Sequence, residues 1–311
     1  MRVETAAREC GISHTGHEEK GLCQFACNTG FLCGHFCTYC STPCILRMRI
    51  RKLGFDPFEK NLCIVDPTTP ERLAYDAAHK RKRGLIELCP LVDAWAPEAQ
   101  QYDLGRSCLE AILSQPGWTV RVLTKNAAVH KDFDLIKKHK DRVLVGLSIT
   151  APLEKSHVIS VIEPRASSIE RRMEVLREAN DQGLRTYGML CPILPGIADS
   201  LDQIDKLVKF AVECNVEEIF VEPVNPRGRG LRLTQEALAN SGYGDEAAAV
   251  EAIRKRNSWS RYVARLVPRV QESVRKRYDV NRLRFLLYPS RLTEEHVAQI
   301  KKDDAGVVWL G

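Results

Sequence analysis

The sequence predicts an α/β fold on parallel strands, from three observations. Short apolar stretches alternate with amphipathic helical ones from Leu85 to Pro223, the pattern of successive βαβ units. Adding Leu22–Thr29 gives six strands, too few for a closed eightfold barrel. Beyond Gly228-Arg229-Gly230 the rhythm changes to helices rich in Arg and Lys. A chain of 311 residues accommodates this as one globule. It divides into an irregular lead-in over 1–21, a parallel-strand region over 22–230, and a helical extension over 231–311 packed on it.

Taken in order, the lead-in carries Gly11, Gly16 and Gly21 among turn-prone polar clusters. Leu22–Thr29 reads as the first strand, running into a loop that continues through Ser41-Thr42-Pro43-Cys44. At Asp66-Pro67-Thr68-Thr69-Pro70-Glu71 a Thr cap, an early Pro and an acid start a helix that ends near Gly84. Strands follow at Leu85–Leu91, Thr119–Thr124, Arg142–Thr150, Arg185–Leu190 and Glu218–Pro223. Between them, helices are expected at Ala99–Leu113, Lys131–Lys140, Ser167–Gln182 and Leu201–Cys214. In the extension, Glu246–Lys255 and Arg261–Arg277 read as helices, Arg284–Tyr288 as a short strand, and Thr293–Lys302 as a Thr-capped helix.

Hydrophobic residues at 44% and charged residues at 28% describe an ordinary soluble chain, with no apolar run approaching a membrane span. The polar first twenty residues lack the apolar core of an export signal, so the expected location is cytoplasmic and no membrane partner is expected. Twelve cysteines in such a chain point to metal or thiol chemistry rather than disulfides. The net charge of +6 is unevenly spread, over Arg47–Lys52, Lys80–Arg83 and Arg254–Arg284. Such runs suit a polyanionic partner or simply solvated helix faces.

The chemistry centres on Cys33-Gly34-His35-Phe36-Cys37-Thr38-Tyr39-Cys40. Three thiolates this close can hold three irons of a 4Fe-4S cube and leave the fourth open, whereas four would suit a closed site. A zinc knuckle or buried thiols are the alternatives. Further polar motifs stand at strand ends: Cys89-Pro90 to Asp93, Thr124-Lys125, Ser148, Glu163 with Arg165, Cys191-Pro192 to Gly196, and Glu222 to Gly228.

This series, over roughly residues 28–230, resembles the radical S-adenosylmethionine (radical SAM) superfamily, in its spore photoproduct lyase-like (DNA repair photolyase-like) branch. The resemblance implies a partial (βα)6 TIM-type barrel with the helical C-terminal extension appended. It implies a 4Fe-4S cluster on Cys33, Cys37 and Cys40, which cleaves S-adenosyl-L-methionine (SAM) to a 5'-deoxyadenosyl radical that abstracts hydrogen from a substrate. A reductase, flavodoxin or ferredoxin would supply the electron, and a nucleic acid is the implied substrate class. Tyr39 would pack near the adenine, and Lys125 and Ser148 would hold the methionine or ribose end of SAM. Gly196 would let the backbone approach a ligand. Arg227 and Arg229 suit a substrate phosphate or a solvated loop, and Glu163 with Arg165 reads as a structural salt bridge.

Cys89 matches a lyase cysteine that returns hydrogen to the substrate, but stands four residues before Asp93 where the lyase has three. One residue of offset flips a strand side chain, and a bulge at Pro90 would restore it, so hydrogen donor and structural thiol both stay open. Cys23 and Cys27 suit an auxiliary metal, with Cys10, His14, His17 and Cys44 as further ligands, or are small buried thiols. Two rival functions remain. One is a nucleic-acid-binding protein with a structural metal, which needs a fourth ligand such as Cys44 or Cys27. The other is radical modification of a peptide or small molecule.

Overall fold

Turn residues cut the apolar stretches short, so the strands are brief. A computed structural model describes residues 1–16, 18 and 21–310. Its strands are β1 (Arg2–Thr5), β2 (Ser13–His14), β3 (Phe25–Cys27), β4 (Gly30–Leu32), β5 (Leu62–Val65), β6 (Leu85–Leu88) and β7 (Thr119–Thr124). They continue with β8 (Val143–Leu147), β9 (Arg185–Thr186), β10 (Gly188–Ile193), β11 (Ile219–Pro223), β12 (Leu283–Leu287) and β13 (Val307–Trp309). One sheet runs β2-β3-β6-β7-β8-β9, a second β10-β11-β12-β13, and a third β1-β5-β4. Among the described residues, β2–β3 and β4–β5 are the antiparallel pairs.

The alternation of parallel strands and helices is as the sequence predicts. The strand pairings describe an α/β structure whose strands are divided among several sheets. Their division falls at Tyr187, between β9 and β10, where Ser148 and Met189 still form a parallel bridge. The Tyr187 ring lies across Gly146 of β8, where a Cβ would stand 2.3 Å from it. Its hydroxyl donates to the Val122 carbonyl at 2.9 Å. The C-terminal extension is not only helical: β12 and β13 join the second sheet in parallel. Along β12, Leu283, Phe285 and Leu287 are buried in alternation, the period of a strand with one face on the core.

The lead-in, expected to be irregular, contributes β1 beside β5 and β2 beside β3. Leu62-Cys63-Ile64-Val65 is fully buried, a short apolar run that fits a strand as well as a helix segment by pattern alone. Expected helices form at Thr69–His79, Leu104–Leu113, Phe133–Lys138, Ile169–Asp181, Leu201–Glu213, Gly244–Ala252, Arg256–Arg277 and Glu294–Ile300. Ser200 and Gln203 close a capping box on Leu201–Glu213, satisfying donors that the first turn leaves free. Thr68 makes no such bond; it leans instead on Asp66, whose Oδ1 accepts from its N and Oγ1.

Side chains alternate between two buried regions. Val120 and Val122 join the large core beneath the helices, while Leu144, Tyr187, Met189 and Phe220 form a separate cluster on the other face of the sheets. The candidate site lies between the two: Tyr39 and Cys89 of the large core and Tyr187, Met189 and Phe220 of the second cluster border the same cavity. Among the described residues no helix is long and apolar enough to cross a membrane.

Candidate active site

The Cys33–Cys40 loop follows β4 and is held at nearly every residue. Gly34 N donates to Glu98 Oε1 at 2.8 Å, and a Cβ there would meet Glu98 Oε2 at 2.4 Å, so a larger residue would have to displace this carboxylate. His35 Nε2 bonds Asp93 Oδ2 at 2.9 Å and Nδ1 faces the Arg165 carbonyl at 3.2 Å. Thr38 N donates to the Ile162 carbonyl at 2.9 Å. All three cysteines border one cavity of about 560 Å³, within the range of small-molecule sites. Burial pushes the Cys37 thiol up to about 12 and Cys33 well above its ordinary range, so a cation is needed to hold them as thiolates.

The donor set fits a cluster with one open corner. Cys44 and Cys27, the candidates for a fourth ligand, are not among the residues lining the cavity. Cys44 packs against Gly228, and Cys27 is buried in the core with Leu88 and Cys108. Among the described residues no three of His, Cys, Asp and Glu stand close enough together to hold a single metal ion. Cys23 bonds Thr15 Oγ1 at 3.9 Å, and His17 lies outside the described residues.

Glu163 organises the wall next to the loop. It accepts from the Tyr39 hydroxyl, from Thr150 Oγ1 at 2.7 Å and from Arg172 at 2.5 Å, with Lys125 Nζ 3.4 Å away. Burial alone would raise its pKa, but Arg172 and Lys125 with the two hydroxyls hold it at about 2. The sequence pairs Glu163 with Arg165; the structure pairs it with Arg172, because Arg165 turns its guanidinium toward the Phe36 ring, 5.9 Å from the centroid. Arg172 sits in the apolar stripe Ile169, Arg172, Met173, Leu176, and a lone cation there was the readable signal of a buried acid partner. Tyr39 is thereby locked beside Lys125, whose Nζ lies 5.8 Å from its ring and bonds the Cys191 carbonyl at 3.1 Å. Ser148 borders the same cavity, its carbonyl accepting from Arg172 at 2.7 Å.

Asp93 joins the loop to the strand ends. Besides His35 it accepts from Thr124 Oγ1, Lys125 N and Trp95 N, each at 2.8 Å. Burial opposes its ionisation, yet His35 and these donors keep it below its ordinary value, and in return His35 is raised.

Cys89, directly after β6, takes the left-handed conformation, φ 63°, which redirects the chain where a one-residue offset had left its direction open. Its sulfur stands 3.4 Å from Thr29 Oγ1, and the side chain is 2% exposed. Gly196 does not line the cavity; its positive φ of 72 serves a turn packed against Ala249. Two lining residues that sequence reasoning gave no role are Cys191 and Glu222, joined by a thiol donation of 3.6 Å. Burial pushes the Glu222 carboxyl up to about 7. Arg227 lies over the Tyr288 ring at 5.2 Å and Arg229 over Phe58 at 4.4 Å.

No protein-family model matches the chain. An uncharacterized protein of Acidianus two-tailed virus is 28% identical over 221 residues, covering 69% of this chain and 71% of its own length. An uncharacterized protein of Methanocaldococcus jannaschii is 30% identical over 121 residues, 39% of this chain and 45% of its own. A double mutant of spore photoproduct lyase with bound AdoMet and dinucleoside spore photoproduct superposes with a TM-score of 0.51 at 14% identity. A single-site mutant of the same lyase gives 0.52 at 15%. The chain has the fold of spore photoproduct lyase. Each superposition covers 76% of this chain and 66% of the lyase, so just under two thirds of the lyase's length has a counterpart here. At such identity the likeness speaks for the fold alone.

Proposed function

We propose that the chain is a radical SAM enzyme acting on a substrate held in this cavity. The observation that carries the reading is the meeting of Cys33, Cys37 and Cys40 with Tyr39, Lys125 and Ser148 around one space. The three thiolates would hold a 4Fe-4S cluster, which when reduced by a reductase, flavodoxin or ferredoxin supplies the electron that cleaves SAM to a 5'-deoxyadenosyl radical. Tyr39, fixed by Glu163, offers a ring face to the adenine. The Lys125 ammonium is the cation available to the SAM carboxylate, and the Ser148 hydroxyl can bond the ribose. Glu163 keeps its negative charge at neutral pH and stands 3.4 Å from the Lys125 Nζ, which orients that ammonium along the cavity wall. Cavity walls of Leu123, Met189 and Phe220 exclude water from the reacting carbon. We read the six-stranded and the four-stranded sheet together as a partial barrel curved about this space, with Tyr288 and Leu310 of the extension among its lining residues.

The substrate we favour is a nucleic acid, the class that the lyase structure holds as a dinucleoside. Arg227 and Arg229, each stacked on an aromatic ring and in no ion pair among the described residues, suit phosphates and bases. Anaerobically reconstituted protein with reductant should bind about four irons per chain and turn SAM into 5'-deoxyadenosine and methionine. Cys37→Ala should lose both cluster and turnover. A fully reconstituted protein that leaves SAM intact refutes the proposal.

A further inference from the structure

The cavity holds a thiol that this function has not used. We propose that Cys191, positioned by Glu222, is the hydrogen-atom donor of the cavity, an assignment that rests on the radical chemistry proposed above. Three thiols outside the cluster loop border the space: Cys23, Cys89 and Cys191. Cys23 is 6% and Cys89 2% exposed, and their sulfurs are engaged by Thr15 and Thr29. Cys89 packs into the core beneath the helices with Cys27 and Cys108. Cys191 is half-buried and belongs to the opposite face, packed against the cluster of Tyr187, Met189 and Phe220. Its Sγ points to Glu222 Oε2, and its carbonyl is the acceptor of Lys125 Nζ, so it sits beside the proposed SAM-binding group.

A second observation bears on the same space. Arg121, 4% exposed, borders the cavity; its two terminal nitrogens donate to the Leu22 carbonyl and to Glu218, and its Nε is buried with no acceptor among the described residues. Its guanidinium lies 5.5 Å from the Tyr187 ring, the ring that Cys191 packs against. A buried N–H without a partner is costly, and a substrate oxygen reaching the floor relieves it.

The S–H bond is weaker than the C–H bond formed, so transfer to a carbon radical runs downhill. The S–H bond of Cys191 breaks homolytically, the hydrogen atom bonds to the substrate carbon, and sulfur is left as a thiyl radical. One electron from the low-potential donor that the proposed function already requires, and one proton from Glu222, restore the thiol; Glu222 then regains a proton from solvent. A carboxyl titrating at about 7 holds that proton in a large share of molecules at neutral pH.

The test is isotopic. Reconstituted full-length protein is given SAM and dithionite in D2O without substrate, and the 5'-deoxyadenosine is weighed. Wild type and Cys214→Ser should place solvent deuterium in the product, and Cys191→Ser and Cys191→Ala should lower it at least tenfold. On iron-free protein, infrared difference spectra against Cys191→Ser should give an S–H band that moves in Glu222→Gln. Deuterium that persists in both Cys191 variants, that is absent from wild type, or that is lost in Cys89→Ser instead overturns the assignment while leaving SAM cleavage standing. Absence of 5'-deoxyadenosine from wild type overturns the proposed function and this assignment with it.

Discussion

Replacing Glu163 by glutamine keeps the shape of the side chain and removes its charge from a fully buried pair. Glu163 and Arg172 are each 1% exposed, and Lys125 and Tyr39 depend on the same carboxylate. Two magnitudes agree. Holding the carboxyl at about 2 rather than 4.5 corresponds to about 3 kcal/mol of folded-state stabilisation. Breaking a buried pair by removing one partner costs about 3–5 kcal/mol, because the remaining charge stays desolvated. Urea unfolding of iron-free Glu163→Gln at pH 7 should therefore show a loss of about 3 kcal/mol. A carboxyl whose pKa is lowered on folding stabilises above its unfolded value of 4.5 and loses that contribution as pH falls toward 2, so the gap should shrink over this window. Adding Arg172→Met removes the stranded charge and should recover part of the loss. A loss below about 1 kcal/mol at pH 7, or a gap independent of pH, refutes the reasoning.

The opposite sign applies to Glu222, raised to about 7 on folding. Its contribution is full below 4.5 and is lost as pH rises through 7, so wild type should lose up to about 3 kcal/mol relative to Glu222→Gln across that range in denaturant titrations. Gly146→Ala drives a methyl into the Tyr187 ring at 2.3 Å and should cost about 1–3 kcal/mol; an unchanged melting temperature would show that Tyr187 does not cross β8. Asp93→Asn leaves His35 without its anionic partner and should lower iron retention after desalting, and full retention would remove Asp93 from the loop's support. The tail cations Arg275, Lys276, Arg277 and Arg284 are ion-paired to Asp303, Glu272, Asp205 and Glu218, so charge reversal there should leave nucleic-acid binding unchanged in filter assays, unlike Arg227→Glu.

The sequence by itself determined whatever depends on near neighbours along the chain. The cysteine trio is legible because three thiols within eight residues share one loop wherever it goes. The strands from Leu85 to Pro223 are legible because period and capping are local properties. Tertiary structure alone decided which partners meet. Glu163 takes Arg172 from the next helix and Tyr39 from the cluster loop because all three point into one buried space, while nearby Arg165 faces another way. How each thiol is set around the cavity was equally hidden. A positive φ at Cys89 and the packing of Cys191 on the cluster of Tyr187, Met189 and Phe220 set the two sulfurs apart, and neither backbone sign nor sheet face can be read one residue at a time.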